Sequence, residues 1–118
     1  VSFGKILKEA QKAVAVLEKE NISCELIDLR TIRPLDMDTI LTSVKKTNRL
    51  VILEESWPFG NISTEITYQV QSQAFDYLDA PVQKINTADT PAPYSPVLLQ
   101  EWLPNHEDVV RAVKKVMN

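Results

Sequence analysis

The chain has 118 residues, of which 44% are hydrophobic and 25% are charged, and its formal net charge at pH 7 is −3. This length and composition are typical of one soluble globular domain with its own core. The sequence offers no basic footprint for nucleic acid, no apolar run near the roughly 20 residues that span a bilayer, and no opening signal peptide.

The first predicted elements are a helix over residues 5–20 and a strand over residues 23–29. Apolar residues recur at helical spacing in the first of these: Ile6, Leu7, Ala10, Ala13, Val14 and Leu17. The single cysteine, Cys24, cannot form an internal disulfide and is predicted to be a small buried hydrophobe of the strand. Upstream, Val1–Phe3 resembles the clipped end of another strand, so we expect a longer parent protein.

The stretch from Asp28 to Asp36 leaves the carboxyl end of this strand, where function usually collects in parallel sheets. Pro34 biases Arg33 towards extended geometry, which leaves Asp36 free to cap a helix over residues 36–47. Arg30 and Arg33 are held on this short, stiff connection. We predict that they tie the loop to neighbouring carbonyls and carboxylates; direct ligand binding is the alternative.

The continuous apolar run Leu50–Leu53 predicts a central strand that is buried on both faces. Glu54 and Glu55 follow it, and adjacent side chains on an extended chain point to opposite sides. We therefore predict that they anchor the loop and do not form a catalytic acid–base pair. Next, Trp57 and Phe59 flank a proline and form either an exposed contact surface or a local plug over the core.

The second half of the chain predicts a helix over residues 61–74, capped by Asn61, and a half-exposed strand over residues 82–86. Four prolines fall within residues 87–105, which we predict to lack regular structure. So long a connection in a compact domain is usually functional or packed by its own side chains.

The last predicted helix covers residues 106–117, and Asn105 with Asp108 resembles a capping pair at its start. His106 lies in the first turn of this helix, where the positive end of the dipole disfavours a protonated imidazole. Since no second histidine is available to share a metal, we predict a structural or solvent-exposed role for it.

Alternation of helices and strands predicts a three-layer α/β/α sandwich with a mostly parallel sheet, in one domain over residues 1–118. With only Gly4 and Gly60, the chain has no glycine-rich phosphate cradle. One histidine and one cysteine leave few ways to assemble a metal site or a nucleophile with its base. The residues alone therefore predict an α/β domain that is not catalytic by itself.

Four co-linear motifs resemble the C-terminal domain of the beta subunit of pyruvate dehydrogenase's first component, a member of the transketolase-like thiamine diphosphate enzymes. They are residues 28–36, 43–48, 78–81 and 88–94. The resemblance runs over the whole chain. It implies a transketolase C-terminal-like sandwich with a mostly parallel, five-stranded sheet, whose first edge strand and part of the second would lie upstream.

The resemblance also implies a parent enzyme that decarboxylates pyruvate oxidatively and passes the acetyl unit to a lipoyl group. Thiamine diphosphate and Mg would be bound between an alpha-subunit domain and the N-terminal domain of beta, and none by this fragment. The implied partners are the alpha subunit, a second beta subunit and the dihydrolipoyl acetyltransferase. The implied compartment is the bacterial cytoplasm or the mitochondrial matrix.

Asp79 matches the position where family members pair with a basic residue of the acetyltransferase's subunit-binding domain. In the family the C-terminal carboxylate also takes part in that docking, and the resemblance implies a partner contact at Asn118, the last residue of this sequence. The alternative for Asp79 is a turn residue before Ala80-Pro81. Trp57 and Phe59 belong to a segment that resembles the family's aromatic-proline loop and are expected to contact a partner.

Three other interpretations stay open on the sequence. The beta subunit of a branched-chain 2-oxoacid dehydrogenase shares the Arg-Thr-Ile and Asp-Thr-Pro elements. A stand-alone ligand-binding α/β module would need a glycine-rich or charged turn at a strand end. A transketolase or deoxyxylulose-phosphate synthase tail is disfavoured by the docking motif around Asp79.

Overall fold

The computed structural model describes all 118 residues and contains five α-helices and two short strands. In chain order the elements are α1 (Leu7–Lys19), α2 (Met37–Thr47), β1 (Val51–Leu53), α3 (Ile62–Ala74), a 3-10 turn (Phe75–Tyr77), β2 (Gln83–Ile85), α4 (Pro96–Trp102) and α5 (His106–Met117). No helix combines the length and the apolar character needed to cross a membrane.

The sheet is parallel and small. β1 pairs with β2 so that Val51 lies opposite Gln83 and Leu53 opposite Ile85. Ser2 continues the sheet on the other side of β1, because it forms parallel bridges both to Leu53 and to Asp28. Four chain segments therefore lie side by side in the order Asp28, Ser2, β1 and β2, fewer than the five strands that the resemblance implies.

The predicted strand over residues 23–29 is reduced to the bridge at Asp28, which corrects that expectation. Residues 23–26 make no backbone hydrogen bond, because no other segment lies beside them. Cys24 is accordingly only partly buried, and the prediction of a buried thiol was wrong. Burial is still the main reason that its pKa is raised, with a smaller contribution from the Glu18 carboxylate.

Helices cover both faces of the sheet, which confirms the predicted three layers. One core cluster lies between the sheet and helices α2 and α3: Leu29, Ile40, Val44, Leu50, Ile52, Ile66, Val70 and Ala74. The other joins the sheet to α1 and α5: Ile6, Ala10, Ala13, Leu53 and Val109. Ile52 and Leu53 are consecutive in β1 and belong to different clusters, as the alternation of side chains along a strand requires.

The helix starts follow the predicted caps. The side chain of Asp36 accepts from the Thr39 N–H at 3.1 Å, and that of Asn61 accepts from the Thr64 N–H at the same distance. Asn105 opens α5 with a reciprocal capping box that involves Asp108. Each of these caps satisfies amide donors that the first turn leaves free, for about 1 kcal/mol.

Helix α4 corrects the expectation that residues 87–105 lack regular structure. Pro96 occupies its first turn, where the missing proline N–H costs nothing because the helix would not use it. Ser95, as the residue before a proline, is extended. Proline therefore starts this helix instead of preventing it. No residue of α4 is buried, so the helix lies on the surface.

Candidate functional site

The candidate functional residues lie at the two ends of β1. Its carboxyl end runs into the loop that carries Trp57 and Phe59. Its amino end is preceded by Asn48 and Arg49, and the Asn48 carbonyl accepts from the Asp79 N–H at 2.8 Å. We call the side chains of Trp57, Phe59, Tyr94, Val97 and Leu98 the aromatic surface. We call Asp79, Tyr77, Lys45, Arg49 and the last turn of α5 the Asp79 corner.

Glu54 fixes the loop at the carboxyl end. It is only 1% exposed, and its carboxylate accepts from the Ser63 N–H at 2.6 Å and from the Ser56 hydroxyl. Ser63 belongs to the first turn of α3, so one carboxylate ties together both ends of the loop. Glu55 is exposed. The two glutamates therefore point to opposite sides, and the predicted anchoring role falls to Glu54 alone.

A single carbonyl joins this loop to the α4 region. The indole N–H of Trp57 donates to the Thr90 carbonyl at 2.7 Å, and that of Trp102 donates to the same oxygen at 2.9 Å. The Ala88 N–H donates to the Trp102 carbonyl at 3.1 Å. From β2, the Lys84 ammonium donates to the Pro58 carbonyl at 2.7 Å. Loop, proline-rich segment and α4 are thus held as one unit.

The apolar side chains of this unit face solvent. Phe59 is 89% exposed, Tyr94 is fully exposed, and Trp57, Val97 and Leu98 are each half-exposed or more. Trp57 and Phe59 thus have the exposure that the contact-surface alternative requires. Exposed apolar side chains on a hydrogen-bonded frame are a feature that protein-interaction surfaces share.

At the amino end, Arg49 links Asp79 to α5. Its Nε–H donates to the Val116 carbonyl at 2.8 Å, and its Nη1 lies 3.8 Å from Oδ2 of Asp79. The structure therefore brings Asp79 near the end of α5, where Asn118 follows one residue after Met117. The Asp79 side chain is 56% exposed and remains accessible to a partner.

The backbone of the Asp79 corner is held by Asn48. This residue ends α2 in the left-handed conformation with φ 64°, which asparagine tolerates better than most residues. Its side-chain amide donates to the Tyr77 carbonyl at 2.8 Å. Lys45 Nζ lies 5.4 Å from the centre of the Tyr77 ring, within cation–π range. Asn48 and Lys45 thus hold the turn that precedes Asp79.

Arg30 and Arg33 were predicted to tie the loop after Asp28 to neighbouring carbonyls and carboxylates, and neither forms an ion pair beyond Asp28. The Arg30 Nε lies 2.6 Å from the Asp28 carboxylate, whereas Arg33 is exposed and has no ion pair. The Thr31 hydroxyl donates to the Pro34 carbonyl at 2.8 Å. No hydrogen bond or ion pair joins this loop to the aromatic surface or to the Asp79 corner.

The acidic end of this loop is Asp36. The Thr39 hydroxyl and then the Thr39 N–H hydrogen bond to its carboxylate, and these bonds lower the pKa of that group. A carboxylate that stays charged suits the positive end of a helix dipole. Asp36 is therefore a capping residue of α2.

His106 joins two helices. Its N–H donates to Oε2 of Glu9 at 3.0 Å, and its Nδ1 lies 3.3 Å from the same oxygen. Burial would raise the pKa of Glu9, but hydrogen bonds from Lys12 and His106 outweigh it and lower that pKa. This contact ties α5 to α1 and agrees with the predicted structural role.

Two contributors to these surfaces escaped the sequence analysis. Arg49 is 67 residues from its acceptor Val116, so no local pattern could reveal the contact. Thr90 acts through its backbone carbonyl, which every residue possesses. For Asn48, in contrast, the sequence does indicate the role, because asparagine directly after a helix commonly ends it in the left-handed conformation.

Residues 1–109 match the family described as the transketolase C-terminal domain. The chain is 52% identical over 116 residues to the pyruvate dehydrogenase E1 component subunit beta of Rickettsia felis. It is 53% identical over the same length to the subunit of that name from Rhizobium meliloti. It is 49% identical over 114 residues to the mitochondrial subunit beta-1 from Oryza sativa subsp. japonica.

These matches cover 97–98% of the chain but only 36%, 25% and 30% of the three relatives, so the chain spans about a third of their length or less. Among solved structures, a chain described as a split gene transketolase, inactive beta4 tetramer, aligns with a TM-score of 0.83 at 24% identity. That alignment covers 98% of this chain and 36% of the other, and it shows a shared fold.

Proposed function

The chain belongs to the transketolase C-terminal domain family, and we propose that it is the C-terminal assembly and docking domain of a pyruvate dehydrogenase beta subunit. The identity of about half of its residues to such subunits, over nearly the whole chain, supports this proposal. Pyruvate is favoured over a branched-chain oxoacid because the relatives named above are pyruvate dehydrogenase subunits. The proposed compartment is accordingly the bacterial cytoplasm or the mitochondrial matrix.

The parent enzyme would use thiamine diphosphate and Mg to decarboxylate pyruvate oxidatively and to transfer the acetyl group to a lipoyl group. The residues of this chain do not fit that cofactor. No three acidic, imidazole or thiol side chains converge on a metal position, and Gly4 and Gly60 lie in separate turns. We therefore assign the chain to assembly, and the chemistry to the rest of the parent.

The Asp79 corner is the observation that carries the docking part of the proposal. Arg49 lies 3.8 Å from the Asp79 carboxylate and donates to the Val116 carbonyl in the last turn of α5, so Asp79 lies near the helix end that leads to Asn118. The carboxylate is exposed enough to be reached by a basic side chain. The proposed partner is the subunit-binding domain of the dihydrolipoyl acetyltransferase.

The aromatic surface supports the assembly part. Its side chains are exposed, yet the frame beneath them is fixed by Glu54 and by the two indoles on Thr90. Such preorganised aromatic side chains contribute much of the binding energy at subunit interfaces. We propose that this surface contacts the alpha subunit or the second beta subunit, with Trp57 and Phe59 as its anchors.

Calorimetric titration of the chain with the acetyltransferase's subunit-binding domain tests the docking proposal. At low salt, Asp79→Asn should weaken binding roughly 10-fold, and the loss should shrink as salt screens the charge. Asp76→Asn is the matched control, because Asp76 is also exposed, lies three residues away and has no ion pair. Equal affinities for the two variants would remove Asp79 from the docking site.

A further inference from the structure

The aromatic surface has an acidic border. At its base, the Thr90 carbonyl accepts from the indoles of Trp57 and Trp102 at 2.7 and 2.9 Å. Each of these three residues has an exposed acid one or two positions before it in the chain. We call these acids the acidic border: Glu55, Asp89 and Glu101. None of them forms an ion pair, so their charges are available to a partner.

Helix α4 carries apolar and acidic side chains on the same side. Glu101 follows Val97 by four residues and Leu98 by three, and both spacings bring side chains together on a helix. Val97 is 68% exposed and Leu98 is 53% exposed. An apolar patch with charge at its edge is the usual layout of a docking surface, in which a polar rim surrounds an apolar centre.

Positive charge is scarce in this part of the molecule. Residues 54–64 contain two acids, residues 86–105 contain two more, and neither range contains a lysine, arginine or histidine. The cation that is hydrogen bonded to this unit is Lys84. Its ammonium donates to the Pro58 carbonyl at 2.7 Å and to the Thr64 hydroxyl at 2.9 Å, so it is already committed to the frame. The exposed face therefore has a negative edge.

We propose that the aromatic surface docks a basic amphipathic segment of a partner protein, in which lysine or arginine flanks the apolar side chains. This inference rests on the assembly role proposed for the aromatic surface, and it specifies the chemistry of the region that this surface contacts. Apolar side chains of the partner cover Phe59 and Tyr94, and the flanking cations meet the acidic border.

Charge also decides between this occupant and a second copy of the same surface. Two aromatic surfaces placed face to face would bring the acidic borders of both copies into one interface, and like charges in an interface disfavour association. A basic segment instead gains attraction at the same positions. The occupant is therefore a region of opposite charge and not the aromatic surface of another copy.

The test is calorimetric titration of the chain with three synthetic helical peptides of about four turns each. The first has leucine on one face and lysine on the other. The second replaces lysine by glutamate, and the third replaces leucine by serine. Only the leucine–lysine peptide should bind, and its affinity should fall as salt is added. Absence of binding by this peptide, or equal binding by the leucine–glutamate peptide, would overturn the proposal.

Two triple variants with equal net charge separate the acidic border from a general effect of charge. The border variant combines Glu55→Gln, Asp89→Asn and Glu101→Gln, and it should bind the leucine–lysine peptide about 10-fold more weakly at low salt. The control variant neutralises three exposed acids elsewhere that also lack ion pairs: Glu18→Gln, Asp38→Asn and Asp76→Asn. It should lose about 2-fold or less. Equal losses in the two variants would show that only net charge matters.

An apolar variant distinguishes failure of this inference from failure of the assembly role. Phe59→Ser with Tyr94→Ser should weaken the leucine–lysine peptide at least as much as the border variant, and it should fold normally because Phe59 is 89% exposed and Tyr94 is fully exposed. If this variant loses binding and the border variant does not, the acidic border has no part in docking, although the assembly role stands. If neither variant loses binding, the assembly role fails as well.

Sedimentation equilibrium tests the second copy as occupant. Loss of the three acids should weaken binding of a basic segment, whereas it would strengthen a contact between two aromatic surfaces. Self-association of the chain that increases in the border variant and disappears in the apolar variant would overturn the proposal. A chain that is equally monomeric in both variants supports it.

Discussion

The two ends of β1 present different kinds of surface. At the carboxyl end, exposed aromatic side chains stand on a frame of hydrogen bonds. Those to the Glu54 carboxylate are buried or part-buried, and those to the Thr90 carbonyl are exposed. At the amino end, the exposed carboxylate of Asp79 is held by a 3.8 Å ion pair to Arg49. One end is therefore rigid beneath an apolar face, whereas the other offers charge with little restraint.

This difference indicates how the two surfaces would recognise partners. A fixed apolar face loses little entropy on binding, which suits a permanent subunit interface. An exposed charge mainly steers association and depends on salt, which suits a partner that binds and leaves. Variants that damage one end and spare the other can test this division.

The largest effect is expected at Glu54. Glu54→Ala should lower the free energy of unfolding by about 3 kcal/mol, because a buried N–H and a hydroxyl lose their carboxylate acceptor. Urea denaturation monitored by tryptophan fluorescence measures this, since Trp57 lies in the loop that Glu54 anchors.

Glu55→Ala provides the control for this prediction. The neighbouring residue has the same charge but is exposed, so its loss should change stability by no more than about 0.5 kcal/mol. If both variants unfold at the same urea concentration, the carboxyl end of β1 is not held by a buried carboxylate.

Much of the fold was predictable because its signals are local. Caps at Asp36, Asn61 and Asn105 use side chains that bond to amides within the next turn, and the apolar run before Glu54 marks a buried strand. Helix α4 was missed because four prolines in one segment suggested a continuous loop, although a proline at a helix start is favourable.

The strand predicted over residues 23–29 shows the limit of such reasoning. Its apolar pattern is suitable, but a strand also needs a hydrogen-bonded neighbour, and residues 23–26 make no backbone hydrogen bond. The candidate site likewise contains residues that a local motif identifies and residues that only long-range contacts reveal. Asp79 and Trp57 could be selected from motifs, whereas Arg49 and the Thr90 carbonyl depend on contacts across 67 and 33 residues.

A smaller effect is expected at the indole pair. Trp102→Phe should lower the free energy of unfolding by about 1 kcal/mol, because the ring stays apolar but the Thr90 carbonyl loses one donor. Trp57→Phe should cost less, since the Trp57 side chain is half-exposed and water can replace its N–H. Equal and negligible costs in urea denaturation would mean that Thr90 does not hold the frame of the aromatic surface.

The smallest effect on stability is expected at Asp79. Its pair with Arg49 is exposed and long, and such pairs contribute at most about 1 kcal/mol, usually less. Asp79→Asn should therefore leave the urea midpoint nearly unchanged in both low and high salt. Arg49→Met should cost more, since it also removes the 2.8 Å hydrogen bond to Val116. If Asp79→Asn destabilises the chain as much as Arg49→Met, the carboxylate belongs to the frame of the domain, and the amino end of β1 resembles the carboxyl end after all.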